Sequence, residues 1–290
     1  MSAQTPYIVP QASKSAKRLK RIERVATHLI LIVFALIVVY PVLWMAFASL
    51  KDSSELLSNI WGAPKSIETK NYTEAWKAAH LGRALFNSIF ISLSTVVLVV
   101  AITAPAGYAL AKFKLRFGTL ILLIFVLTMQ APVPVIPLYV LLVKLKMTDS
   151  YIGYILPLTA GGIPLAIFIF RAFFTTVPRE LEEAAVVDGS TRVGAFLRIV
   201  MPVSVPAVAT VSILQFLGSW NEYFLALILI RSPELRTLPL SIQVFFYDWG
   251  RTDWGPIFAA LTIGSLPMIL LYIVMQRRFV QGLTAGAVKG

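Results

Sequence analysis

The sequence predicts an all-α integral membrane protein of six transmembrane helices, with both termini in the cytoplasm. Three observations lead there. Of its 290 residues, 58% are apolar and only 14% charged, against about 25% charged in a typical soluble domain. Six stretches lack charge for long enough to cross a hydrocarbon core of roughly 30 Å, which takes about 20 helical residues. The basic residues are also distributed unevenly over the loops that join those stretches.

Residues 1–24 form a basic tail carrying Lys14, Lys17, Arg18, Lys20, Arg21 and Arg24, suited to fixing topology and to anionic lipid heads. The run 25–50 is longer than the apolar core of a signal peptide, about 7 to 15 residues, and no small-residue cleavage site follows it, so it is expected to be an uncleaved anchor and the first span. Residues 51–83 make an external segment, in which Asn71 to Leu81 has helical composition and Trp61 and Trp76 can anchor at the interface. The second span covers 84–111, the third 117–143 and the fourth 150–170. A loop at 177–202 precedes the fifth span, 203–230, which a single acid, Glu222, interrupts. The sixth span is 254–276, and residues 277–290 are a C-terminal tail. Continuous apolar runs of this length exclude the alternation of barrel strands, so the spans are helical.

Placing the N-terminus, residues 112–116, residues 171–198 and the C-terminus on one side gives that side 16 Lys and Arg against five acids. The other side has 10 basic residues against nine acids. This is the positive-inside pattern, and it makes both termini cytoplasmic. It also accounts for the net charge of +12 without nucleic acid. The absence of cysteine excludes a disulfide and a thiolate metal site. His28 and His80 are far apart and read as ordinary boundary residues. The chain has no Gly-rich phosphate loop, no His-Glu-x-x-His pattern and no nucleophile–base constellation, so it is not expected to be an enzyme, to hold a cofactor or metal, or to hydrolyse ATP alone.

Helix breakers sit near the centres of two spans: Pro132, Pro134 and Pro137 in the third, and Pro157, Gly161, Gly162 and Pro164 in the fourth. Broken helices at that depth expose backbone groups that must be satisfied within protein or by a water-filled path; the alternative is a pair of packing kinks. Polar residues near these breaks and on the fifth span, Thr128, Gln130, Thr159, Gln215, Ser219, Asn221 and Glu222, are candidates to line such a path. Glu222 either faces a cavity or a partner, or reaches water at the outer interface.

In the loop before the fifth span, Pro178 suits the first position of a helix, and Glu180, Glu182 and Glu183 favour its positive end. Gly189 should stop that helix in a left-handed conformation, and Ser190 can cap a second one. The product is a helix-turn-helix bracket parallel to the membrane. Ala184 and Ala185 give the first helix a small-residue patch open to close approach by another surface. The same composition would also suit an amphipathic connector lying on lipid.

The segment Glu183-Ala184-Ala185, three residues, Gly189, nine residues, then Ile199-Val200-Met201-Pro202 resembles the EAA loop of importer permeases of the ATP-binding-cassette class. Met201 stands where Leu is usual, a volume-conserving swap. The resemblance runs over roughly Phe86 to Gly290, through Asn87-Ser88, Gly107-Tyr108-Ala109-Leu110-Ala111 and Trp220-Asn221-Glu222-Tyr223, all similar to the carbohydrate branch. The ending, Gly282 to Gly290, is similar to the tail of the second permease subunit in maltose-type importers.

The resemblance implies a bacterial inner-membrane complex of this chain, a homologous permease chain, two cytoplasmic ATP-binding subunits and an external sugar-binding protein. ATP and Mg would belong to the partner subunits. The bracket would couple to an ATPase through Glu182, Glu183, Ala184, Ala185, Asp188, Gly189, Ile199 and Pro202. Gly282, Gly286 and Lys289 are candidates for a second ATPase contact. The chain would then move a delivered sugar inward by alternating access. The rival readings are an ion-coupled secondary transporter using Glu222 and a structural or signalling membrane subunit.

Overall fold

The computed structural model describes residues 14–130, 133–246 and 253–287. Fourteen α-helices follow one another among these residues: α1 (Lys14–Ala48), α2 (Ser53–Ser58), α3 (Lys70–Ala78), α4 (Leu81–Lys112), α5 (Gly118–Gln130), α6 (Val135–Lys144), α7 (Tyr151–Phe174), α8 (Glu180–Val187), α9 (Arg192–Ala195), α10 (Met201–Val203), α11 (Val205–Asn221), α12 (Phe224–Leu229), α13 (Leu238–Ile242) and α14 (Trp254–Ala287). A π-helical turn, Phe196–Val200, joins α9 to α10. No strand occurs among the described residues.

Four helices contain segments long and apolar enough to cross a membrane: Ile22–Ala48, Leu81–Lys112, Tyr151–Phe174 and Trp254–Gln276. A bent pair, Arg192–Val203 and Val205–Asn221, which turns through 75°, is together long and apolar enough to count as a fifth. The residue at the bend is Ser204. Pro202 and Pro206 flank it and cannot donate the backbone hydrogen bonds that would carry one straight helix through. The run expected as a third span is divided. α5 rises about 20 Å and α6 about 15 Å, each short of a bilayer core alone.

The division falls where the prolines of that run predict it, with Pro134 as the residue preceding α6. The fourth span differs from expectation. α7 runs unbroken through Pro157, Gly161, Gly162 and Pro164. A proline removes one donor, but opening the helix in lipid would leave several backbone groups unpaired, so the continuous helix is the lower-energy solution. Gly162 serves close approach instead: a Cβ there would lie 1.9 Å from Gln215 Oε1.

The packing centres on α4 against α7, with α11 against α4 and α14 against α11. At one end of the α4–α7 contact Gly107 meets Phe170 so closely that a Cβ there would lie 2.7 Å from the Phe170 Cβ. Around it Val99, Tyr108, Phe170, Phe174, Phe196 and Val200 form one core cluster. At the other end, buried Asn87 donates from Nδ2 to the carbonyls of Glu234 and Arg236, both at 2.9 Å, and accepts from the Tyr151 hydroxyl at 2.7 Å. Ser88 accepts from the Leu238 N–H. The two bonds from Asn87 Nδ2 satisfy backbone carbonyls of the segment before α13 that its single 3-10 turn, Pro233–Leu235, leaves open.

The segment between α1 and α4 folds back over the ends of α1 and α14. Asn71 Nδ2 donates to the carbonyls of Ser49 and Lys51 at 2.9 and 2.8 Å, and the Trp44 ring lies edge-on to Phe258 at 5.3 Å. The expected helix at 71–81 is present as α3. It ends earlier because His80 adopts a left-handed conformation, φ 46°, and starts α4 there. Most of the α1 side chains from Ile22 onward are exposed apolar groups, the surface a lipid-facing helix presents.

Candidate coupling bracket and membrane cavity

The bracket is built from local chemistry. α8 begins at Glu180 and not at Pro178, because Arg179 O is the first carbonyl to accept, from Glu182 N at 2.9 Å and Glu183 N at 3.0 Å. Three acids in its first turn face the positive end of the dipole. Its end is a two-bond stop: Gly189 N–H donates to Val186 O and Ser190 N–H to Ala185 O, at 3.0 and 2.9 Å, with Gly189 at φ +88°. Thr191, and not Ser190, caps α9, its hydroxyl accepting from Gly194 N–H at 3.1 Å. Ser190 is occupied in closing α8, so the cap falls one residue later.

The two alanines do not share an outward patch. Ala185 is 6% exposed and packs inward, while Ala184, Glu183, Asp188 and Gly189 are exposed and Val187 is 86% exposed. Ile199 is half-buried in the π-helical turn, and Pro202 is exposed beside the bend.

Glu182 also faces inward. Its carboxylate accepts from the Tyr108 hydroxyl at 2.5 Å and pairs with Lys112 Nζ at 2.8 Å. Lys112 Nζ donates further to Val177 O at 2.6 Å, and Arg179 donates to Lys112 O at 3.3 Å. The bracket is therefore tied to the end of α4 by side chains that sequence reasoning did not single out individually. The signal was available: Tyr108 and Lys112 stand one helical turn apart, on one face, at the end of an apolar run. A cleft of about 460 Å³ lies here, lined by Tyr108, Lys112, Arg179, Glu182 and Arg192 among others.

A larger cavity, about 740 Å³, opens between α5, α6, α7 and α11. Of the path residues expected from sequence, Gln215, Ser219 and Glu222 line it, with Thr128, Pro134, Pro137 and the Gly161–Gly162 pair. Thr159 and Asn221 do not. The Thr159 hydroxyl donates to Ile155 O, and the Asn221 amide to Leu217 O. Pro132 lies outside the described residues, as does the side chain of Gln130. The lining is mostly apolar, and its polar groups are already engaged. Gln215 Nε2 donates to Leu158 O at 3.2 Å and to Ser219 Oγ at 3.1 Å, while Ser219 and Thr95 share a hydrogen bond of 2.8 Å.

Glu222 has a role that neither sequence reading foresaw. It stands in extended conformation between α11 and α12, and its Oε1 accepts the Leu225 N–H at 2.7 Å. It caps the short helix that follows while bordering the cavity. That use of the carboxylate gives no support to an ion-coupled role.

At the cavity end remote from the bracket, Asp149 accepts from the backbone N–H groups of Arg231 and Ser232 at 2.9 Å and from the Ser232 hydroxyl at 2.5 Å. The Ser232 hydroxyl first, then these N–H groups and the Arg231 charge, hold its carboxyl below the usual carboxylate range.

The model of the family described as "Binding-protein-dependent transport system inner membrane component" matches residues 103–285, which contain the bracket and most of the cavity lining. This chain belongs to that family. The permease is also 37% identical to the sulfoquinovosyl glycerol transport system permease protein SmoH of Agrobacterium fabrum, over 87% of this chain and 89% of that protein. It is 34% identical to the arabinooligosaccharides transport system permease protein AraQ of Bacillus subtilis, over 92% and 96%. A third relative is the trehalose/maltose transport system permease protein MalG of Thermococcus litoralis, 31% identical over 89% and 94%.

Its fold superposes with TM-score 0.78 on a chain of a bacterial ABC transporter involved in the import of the acidic polysaccharide alginate, 24% identical, covering 93% of the permease and all of that chain. The permease is thus a multi-pass inner-membrane transport component of a bacterial binding-protein-dependent importer. Among the described residues no cluster of His, Asp or Glu is arranged to hold a metal.

Proposed function

We propose that this permease moves a sugar or sugar derivative, delivered by an external binding protein, into the cytoplasm by alternating access coupled to ATP hydrolysis in partner chains. The observation that carries this reading is near full-length similarity to three permeases named for sugar transport. The partners are a homologous permease subunit and two cytoplasmic ATP-binding subunits, which hold ATP and Mg.

The chain crosses six times with both termini cytoplasmic. α1, α4, α7 and α14 supply one span each, α5 with α6 another, and α11 with α12 the fifth in chain order. The bracket, from Pro178 to Pro202, is the EAA-type coupling loop. Glu183, Ala184, Asp188 and Gly189, on its exposed face, enter the ATPase cleft. Glu182 and Ala185 hold the helix from behind, and Ile199 and Pro202 carry its displacement to α11. Gly282 and Gly286, on the last turns of α14, and Lys289, outside the described residues, are the candidates for a second ATPase contact. Gln215, Ser219 and Glu222 line this subunit's share of the substrate path.

The test is reconstitution of the complete complex in proteoliposomes with the cognate binding protein. Uptake that requires ATP and the loaded binding protein, and that survives collapse of ion gradients, is the expected result. Uptake driven by an ion gradient without ATPase subunits would overturn the reading.

A further inference from the structure

The bracket is connected to the body of the protein by more than the covalent chain, and the connections converge on the last turn of α4. Glu182 of α8 receives the Tyr108 hydroxyl and the Lys112 ammonium. Val177, on the segment leading into α8, receives the same ammonium. Arg192 of α9 lies over the ring of Phe113, which terminates α4, at 5.9 Å. The Tyr108 ring itself packs on Phe196 of the π-helical turn at 4.8 Å. Tyr108 thus touches both arms of the bracket.

The Lys112–Glu182 pair is largely withdrawn from water, with side chains 6% and 16% exposed. Such a pair is held in one geometry by its surroundings, and loss of one partner leaves the other charge uncompensated. Immediately beneath it, Gly107 brings the α4 backbone against Phe170 of α7. α7 in turn contributes Pro157, Leu158, Ala160, Gly161, Gly162 and neighbours to the cavity wall.

We propose that Tyr108 and Lys112 are positioning residues that act through Glu182. They fasten the bracket to α4, so that displacement of α8 reaches the α4–α7 pair and the cavity wall instead of being absorbed in the loop. This rests on the functional reading above, in which an ATPase displaces α8. Tyr108 and Lys112 hold the half-buried Glu182, whereas Glu183 and Val187 of the same helix are exposed along the cleft that all five residues line. The coupling between the two sites is carried by these contacts, and couplings of this kind are worth roughly 5- to 150-fold in an equilibrium.

The experiment uses the complete complex in proteoliposomes with its binding protein, measuring ligand taken up per ATP hydrolysed, KM for ATP, and recovery of ATPase subunits on purification. Tyr108→Phe removes one hydroxyl and keeps the ring packed. Lys112→Met removes the charge and keeps the stem. Lys112→Arg keeps both charge and reach, and the double exchange Lys112→Glu with Glu182→Lys reverses the pair.

Tyr108→Phe and Lys112→Met are expected to retain their ATPase subunits and the wild-type KM for ATP. They should lower ligand transported per ATP by about fivefold or more. Lys112→Arg and the double exchange should recover most of the loss. Wild-type uptake per ATP in both Tyr108→Phe and Lys112→Met would overturn the proposal. So would a loss that follows release of the ATPase subunits, or one that Lys112→Arg and the double exchange fail to recover. Should the wild-type complex itself show no ATP-dependent uptake, the functional reading fails instead, and that result is visible before any variant is made.

Discussion

Gly189 offers a sharp test of the bracket, because its conformation and its surroundings make separate demands. Its φ of +88° lies in the region that L-residues adopt at a cost, while no atom stands within 4 Å of where a Cβ would be. Substitution is therefore penalised by backbone conformation alone. Asn, which visits this region readily, should be tolerated best. Ala should cost about 1 to 2 kcal/mol, and the β-branched Val about 2 to 3 kcal/mol.

The bonds at stake are those donated by Gly189 and Ser190 to Val186 and Ala185. At about 1.4 kcal/mol per tenfold, Gly189→Val should speed hydrogen exchange of the Ser190 amide by roughly 30- to 150-fold, and Gly189→Ala by about 5- to 30-fold. In proteoliposomes the same order, Asn then Ala then Val, should govern loss of uptake per ATP hydrolysed. Normal uptake by correctly inserted Gly189→Val would refute the reasoning. So would exchange in Gly189→Asn as fast as in Gly189→Val, since conformation would then not be the cause.

Ala185→Arg should detach α8 from the body of the protein, since Ala185 is buried against it; a gain in protease sensitivity near residues 177–190, with loss of coupled uptake, is the expected outcome. Gly107→Val should weaken the α4–α7 contact, because its Cβ has no room beside Phe170. A lower thermal midpoint in detergent, for about 1 to 3 kcal/mol of overpacking, checks this. Asp149 is held below its ordinary range in the folded protein, so its contribution to stability is present above about pH 4 and is lost as pH falls through the lower folded value. The fall in thermal midpoint on acidification should therefore be shallower in Asp149→Asn than in wild type.

The long apolar helices were legible in the sequence because the bilayer demands a length and a composition that few other constraints imitate. The stop at Gly189 was legible too, since a single residue type meets a single backbone need. Four other features were not. The prolines of α7 look like those between α5 and α6, yet only the latter fall at a helix break; whether a donor-free position opens a helix depends on neighbours that sequence does not reveal. The direction of Ala185 depends on where the body of the protein lies relative to α8, and periodicity in an eight-residue helix cannot supply that. Glu222 was legible as an unusual acid, but its partner is a backbone N–H three residues away, available only because α11 has already ended. The same is true of Tyr108: its partner, Glu182, is 74 residues on, and only the crossing of α4 by the bracket brings them together.

If the bracket is displaced as proposed, the bend at Ser204 would set a transmission ratio. Its hydroxyl is buried and donates to Val200 O at 2.6 Å, so the elbow is stiffened from within. The arm from Arg192 to Val203 is about 18 Å long and the arm from Val205 to Asn221 about 26 Å, at 75° to each other. Two arms set at a steep angle about a stiff elbow make a bell crank: a sideways push of ~1 Å on the short arm swings the end of the long arm by about 1.4 Å, the ratio of those lengths. That end carries Ser219 and leads into Glu222, both on the cavity wall. Straightening the elbow by replacing its flanking prolines, Pro202 and Pro206, would change the gain of this device without altering a residue that lines the cavity.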